Sequence, residues 1–345
     1  MMMKRVLAAL LGATMLASPA LADQGPVGVI TGMPSGTYAA TGWNLTSLDT
    51  PQMRVVVMLG KGSLQNLSDL LHLRGVDAAF VQGDALAYAR AHNLFPPSDL
   101  AQIQYVAKLY DEEVHVLARA GVERIADLAG KTVNVDVEGS GSAMTAEILL
   151  QALGVNANVT HRRQADAVVA LKNGEIDAII HVGGAPIPVL SSLPTGTLHF
   201  VPVALTDTLI NTYLPAEITH DEYPNLIPAG ADPVQTIAVS DVLAVFGWSP
   251  SNPRYANVAR LVHELFAHIS DLQQPPNHPK WREVNLAATV PGWTRFAGAQ
   301  AELDSVSQLR QFKAFAQARD IPPPVVEQLF QAYTDCVRKH LAACQ

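Results

Sequence analysis

The chain has 345 residues, 49% of them apolar, and a formal net charge of −8. That length favours two domains or lobes over one and allows a sizeable core. The acidic balance repels phosphate backbones and, with no basic stripe or aromatic–basic interleaving, excludes nucleic acid as a partner.

Residues 1–22 read as a secretory signal peptide. Lys4 and Arg5 give a basic start, Val6 to Leu16 an apolar run, and Ala20-Leu21-Ala22 the small-residue exit that a signal peptidase cuts after. The run is too short for a bilayer span, which takes roughly 20 residues, and no later stretch is long and apolar enough. The expectation is a mature chain starting at Asp23, without a transmembrane segment, in the periplasm. Losing Lys4 and Arg5 takes the net charge to −10.

Val27 to Thr31 is a β-type run followed by the loop Pro34-Ser35-Gly36-Thr37-Tyr38 and a helix from Ala39. Arg54 to Leu59 is a second strand, followed by Gly60-Lys61-Gly62-Ser63 and a helix from about Leu64. Val76 to Val81 is a third, closing at Gln82-Gly83-Asp84 before another helix. Three strand–loop–helix units in series imply a parallel sheet with helices on its faces. Gln104 to Leu109 and Val114 to Ala118 read as two strands, with the acidic run Asp111-Glu112-Glu113 between them as a hinge or a solvated face. Lys131 to Val135 is a strand leading through Glu138-Gly139-Ser140-Gly141-Ser142 into a helix that ends near Leu153. Ala178 to His181 is a strand running into Val182-Gly183-Gly184-Ala185-Pro186. Beyond Thr206 the chain turns proline-rich and loop-like, Thr236 to Phe246 suits a strand pair, Pro253 to Ile269 is helical, and the rest is mostly helical. No internal repeat is evident.

Five polar, glycine-bearing loops thus sit at strand ends, where open α/β sheets bind ligands. The helices that follow point free N–H groups and positive dipole ends at that spot, which favours an anion. Serine and threonine there are also common N-caps, each worth about 1 kcal/mol, but five such loops together favour a polar cleft for a small carboxylate. Lys61 offers such a ligand a full positive charge, unless it is a solvated surface lysine. Asp84 either receives an ammonium group or caps a helix. Gly139-Ser140-Gly141-Ser142 lacks the Gly-Lys-Ser/Thr ending of a nucleotide loop and the Gly-x-Ser-x-Gly of a hydrolase elbow. The histidines show no metal-ligand spacing, and His115 and His181, within apolar strands, read as core histidines. No cofactor or metal is expected. Cys336 and Cys344, in an oxidising compartment, are expected to form a disulfide, which requires the helix to end between them because one unbroken helix would hold them about 12 Å apart. Two unrelated thiols are the alternative.

These loops in this order resemble the extracytoplasmic solute receptors of TRAP transporters, specifically the TAXI subfamily. The matching stretches are Gly36-Thr37-Tyr38, Gly62-Ser63-Leu64-Gln65-Asn66-Leu67, Val76-Asp77-Ala78-Ala79-Phe80-Val81-Gln82-Gly83-Asp84, Ile125-Ala126-Asp127-Leu128, Gly139-Ser140-Gly141-Ser142 and Ile176-Asp177-Ala178 through Gly183-Gly184-Ala185-Pro186. The resemblance implies an α/β, type II periplasmic-binding-protein fold. One lobe would hold residues 23–113 and 236–295 and the other 114–235, with a helical extension over 296–345. It also implies a ligand that is a glutamate-like amino acid or a dicarboxylate, held in the cleft by Thr37, Tyr38, Ser63, Asn66, Gln82, Ser140 and Ser142, and a TRAP-type membrane permease as partner. The loops themselves add Gly36, Lys61, Asp84, Gly141, Gly183 and Gly184 to the expected site; Lys61 and Gly83 stand where the family often has a second glycine or serine. Two other readings stay open. One is a periplasmic carboxylate dehydratase on the same scaffold, with Glu138 or Asp84 as its acid; the other is a ligand-sensing partner protein without a transporter.

Overall fold

The computed structural model describes residues 25–317 apart from 197, and in the tail 322, 325, 326 and 328–330. The signal peptide and both cysteines, Cys336 and Cys344, lie outside the described residues. Ten strands form one sheet: β1 (Val27–Ile30), β2 (Val55–Met58), β3 (Ala78–Gln82), β4 (Ile103–Ala118), β5 (Thr132–Asn134), β6 (Asn158–Thr160), β7 (Ala178–Gly183), β8 (His199–Phe200), β9 (Leu214–Ile218) and β10 (Val234–Phe246). Helices α1 (Thr37–Asn44), α2 (Ser63–His72), α3 (Ala85–Ala91) and the short α4 (Pro97–Leu100) follow the first three strands. Helices α5 (Gly141–Ala152), α6 (Gln164–Asn173) and the short α7 (Pro188–Ser191) follow β5, β6 and β7, and α8 (Pro253–Ala267), α9 (Ile269–Leu272) and α10 (Ala297–Gln317) follow β10. No helix among the described residues is long and apolar enough to cross a membrane.

The sheet order β2-β1-β3-β10-β4-β7-β5-β6 places two parallel sets, β2-β1-β3 and β7-β5-β6, on either side of the antiparallel pair β10–β4. β1 and β3 are buried at every position, as parallel strands covered on both faces must be. Helix α8 seals one face with Val258, Leu261, Val262 and Leu265, spaced to form one helical stripe. The parallel sets are built alike. Asp77, just before β3, accepts a hydrogen bond from Gly28 N at 3.0 Å, and Asp177, just before β7, accepts one from Thr132 N at 2.9 Å.

Three segments differ from the sequence reading. The runs 104–109 and 114–118 are one strand of 16 residues, and 234–246 is one strand of 13. Each passes from one half of the molecule to the other. Along β4, Val106 to Tyr110 pack into the first half's core and Val114 to Ala118 into the second's; along β10, Ile237 and Val239 serve the second half and Leu243 and Val245 the first. The acidic run sits at that crossover, and Glu112 and Glu113 are buried there, not solvated. Strand β9 falls in the stretch expected to be loop; it pairs with β10, and its outward residues Leu214, Pro215 and Glu217 are exposed, so no apolar alternation marks it.

Candidate functional site

The carboxyl ends of the parallel strands of both halves meet around one small cavity of about 60 Å³. From the first half it is lined by Gly36, Thr37, Tyr38, Lys61, Ser63 and Gln82, and from the second by Ser140, Gly141, Ser142 and Gly183. Among the expected site residues, Asn66, Asp84 and Gly184 lie outside the lining. Asn66 Nδ2 donates to Thr31 O (3.0 Å) and Phe80 O (2.8 Å), tying the ends of β1 and β3 together. Gly184 O accepts from Thr37 Oγ1 at 3.0 Å, a contact between the halves. Asp84 accepts from Thr145 and Tyr213 of the second half.

Capping explains only one of these loops. Ser140 Oγ accepts from Ala143 N at 3.1 Å and caps α5. Helices α1 and α2 start without a side-chain cap. Gly62, with φ of 108°, turns the chain into α2 in a conformation that favours glycine. The first N–H groups of a helix have no partner within it; that of Gln65 crosses to Gly139 O at 3.1 Å. Ser63 Oγ instead accepts from Gln82 N and donates to Gln82 Oε1, each at 3.1 Å. Gln82 is 1% exposed, and its Nε2 is buried with no partner among the described residues. An orphaned buried donor in a cavity wall is a place for a ligand acceptor.

The same cavity holds residues that no motif announced: Glu112, Asp136 and His181. Glu112 sits on the floor, 3.4 Å from the Tyr38 hydroxyl that donates to it. Burial, then the neighbouring Asp241 and Glu113, push its carboxyl well above the ordinary range, and burial does the same to Asp241, so neither is a ready anion. Asp136 is buried at φ 71°, an uncommon backbone for a non-glycine residue, with Oδ1 accepting from Val137 N at 2.8 Å. Its Oδ2 lies 3.6 Å from His181 Nδ1, and burial holds that imidazole below its usual range, against the pull of Asp136. Lys61 is the one lysine or arginine in the lining.

Ser142, His181 and Asp136 are not a nucleophilic triad. Ser142 Oγ (3.3 Å) and Asp136 Oδ2 both approach the same ring nitrogen, Nδ1, whereas a triad uses opposite nitrogens. Ser142 Oγ is also held by Val182 N at 3.0 Å. His115 does behave as a core histidine: it lies between Glu113 O (2.8 Å from Nδ1) and Tyr223 OH (2.9 Å from Nε2), fully buried. Among the described residues no group of three metal-ligating side chains comes together.

The arrangement is a small cavity with polar walls, lined by residues of both halves. Solved structures similar to this chain include binding proteins. Periplasmic binding protein BugD shares 15% identity, over 86% of this chain and 98% of that one, with a TM-score of 0.50. A TctC solute binding protein from Polaromonas shares 18%, over 71% and 88%, with 0.39. The GluR0 ligand-binding core from Nostoc punctiforme, in complex with (L)-glutamate, shares 13%, over 74% and 95%, with 0.42. The model of the NMT1-like family matches residues 29–289. With that match across both halves, the chain belongs to the NMT1-like family and has the two-lobed α/β fold of type II periplasmic binding proteins.

Proposed function

We propose that this chain is a periplasmic receptor of the TAXI type that captures a small amino acid resembling glutamate and presents it to a TRAP-type permease. Residues 23–113 with 236–295 form one lobe and 114–235 the other, and the cleft closes between them. The observation that carries this reading is the orphaned Gln82 Nε2 in a lining that also holds the exposed Lys61, at the meeting of the α2 and α5 N-termini. An orphan donor, a lysine and two positive dipole ends suit one carboxylate. Asp136, in the same lining, suits an ammonium group. A dicarboxylate has no amine and would leave Asp136 without a partner, so the amino acid fits better. No bond is made or broken; the ligand bridges the lobes and shifts the population towards the closed form.

Isothermal titration with glutamate, 2-oxoglutarate and C4-dicarboxylates tests this. Glutamate or a close amino acid binds at micromolar or better, and 2-oxoglutarate, which lacks the amine, binds at least about tenfold more weakly, the loss of one charge-assisted hydrogen bond. Lys61→Ala weakens the amino acid by about 10- to 100-fold on the same basis, and Asp136→Asn erases the preference over 2-oxoglutarate. Silence across the whole panel rejects the reading.

A further inference from the structure

We infer that closing the two halves on each other places a proton on Asp84, so that closure is favoured by acid. The inference rests on the closing receptor proposed above but not on the identity of its ligand. Asp84 follows β3 in the first half, and both of its side-chain partners belong to the second: Tyr213 OH donates to Oδ2 at 2.9 Å and Thr145 Oγ1 at 3.2 Å. These contacts exist only while the halves are together. In the closed form Asp84 is 4% exposed, and its Oδ1 has no hydrogen-bond partner among the described residues.

The surroundings offer the carboxylate no compensating charge. From β4 the titratable neighbour is Glu112, a carboxyl whose own proton affinity Asp84 raises and which offers no positive charge. From β10 it is Asp241, on the residue opposite Gln82. From α5 it is Glu147, which accepts from Tyr88 of α3 at 2.7 Å at the rim of the same seam. Arg90 of α3 is turned away, to Gly292 O at 3.4 Å. Among the described residues no lysine or arginine forms an ion pair with Asp84.

Parting the halves gives this carboxyl water and its ordinary proton affinity. Closing strips the water away. Burial pushes its pKa from 3.8 to about 6, against the smaller opposite pull of the Tyr213 and Thr145 hydroxyls. The sign follows from linkage. The closed form has the raised value, so closure takes up a proton between about pH 4 and 6. The gain is complete below about 4, fades as pH rises towards 6, and is absent above it. A rise of that size makes the closing constant about a hundredfold larger at pH 4 than at pH 7.

Small-angle scattering of the full chain without ligand, from about pH 4.5 to 7.5, reads the effect directly. The radius of gyration of the wild type falls as pH drops below about 6. Asp84→Asn, which carries the equivalent of the proton permanently, is compact and insensitive to pH over the same range. Tyr213→Phe removes a hydrogen bond that favours the anion and moves the wild-type transition to higher pH; it serves as the second variant should Asp84→Asn fail to fold. A flat wild-type curve overturns the inference. So does an Asp84→Asn curve that follows the wild type, which would place the proton on Glu112 or Asp241. Because no ligand is added, a failed glutamate titration removes only the ligand reading, and a flat scattering curve removes only this one.

Discussion

Gly141→Val leaves the protein folded and lowers its affinity for its solute by roughly a hundredfold or more. The reason is the closeness of the two halves at this glycine. A Cβ on Gly141 would lie 1.8 Å from Gln82 Oε1, 2.5 Å from Gln82 Cδ and 2.7 Å from Ser63 Oγ, all in the opposite half. Gln82 cannot swing aside cheaply, because Ser63 holds both its backbone N–H and its Oε1. The clash therefore falls on the closed form alone. Gly141 starts α5 without a positive φ, so a side chain is compatible with the second half's own fold. With the halves held apart, the ligand loses the contacts of one lobe. Two charge-assisted hydrogen bonds at about 1.5–3 kcal/mol each account for a loss of that size. Calorimetric titration together with thermal melting checks it. Unchanged affinity would contradict the closed geometry, and a collapsed melting temperature would mean that Gly141 serves the fold instead.

Lys280→Met at neutral pH lowers the melting temperature by about 5 °C. Lys280 belongs to the segment that returns across the cleft after α9. Its side chain is only 4% exposed, and its ammonium lies 2.7 Å from Glu113 Oε1 and 2.8 Å from Glu283 Oε1. Glu113 Oε2 in turn accepts from Ala185 N of the second half at 2.8 Å. Burial pushes the ammonium towards neutrality, but Glu113 and then Glu283 outweigh it and hold the pKa above the ordinary range. Burial raises the Glu113 carboxyl, with Lys280 opposing. Removing one member of such a pair leaves a buried unpaired charge, at a cost of about 3–5 kcal/mol, and each kcal/mol is worth about 1–2 °C in a chain of this size. Without its partner Glu113 binds a proton more readily, so the deficit narrows as pH falls towards the ordinary carboxyl range. Lys280→Met combined with Glu113→Gln recovers most of the loss, since replacing both partners removes the uncompensated charge. Melts of both variants at pH 7 and pH 5 decide; a deficit that ignores pH would contradict the buried-charge explanation.

The parts of the site made from local sequence were readable, and the parts made by register were not. Strand-end loops carry their own signal: a glycine, a hydroxyl residue and a following helix pattern, as in Gly62-Ser63 and Ser140-Gly141-Ser142. Those loops do meet at the cavity. Glu112 and Asp241 are 129 residues apart in sequence and come together only because β4 and β10 run antiparallel across the middle of the sheet. The acidic run 111–113 resembles a turn between two short strands until the long pairing with β10 is known. The signal available was a second apolar run interrupted by Ser240-Asp241 at matching length. Lys280 had no local mark at all; it reaches Glu113 from 167 residues away. Asp84 was readable as important but not in its role. A carboxylate after a strand suggests a ligand contact or a cap, and only the placement of Thr145 and Tyr213 shows it bridging the halves.

If loops from both halves close on one small zwitterionic solute, that solute should be visible between them. Electron density between Lys61, Gln82, Asp136 and Ser142, in crystals of protein purified without refolding, reads this without any choice of ligand. A compact molecule is expected there, with its carboxylate at Lys61, Gln82 and the starts of α2 and α5, and its amine at Asp136. Water alone in that cavity, with a bound solute found elsewhere on the molecule, would contradict it.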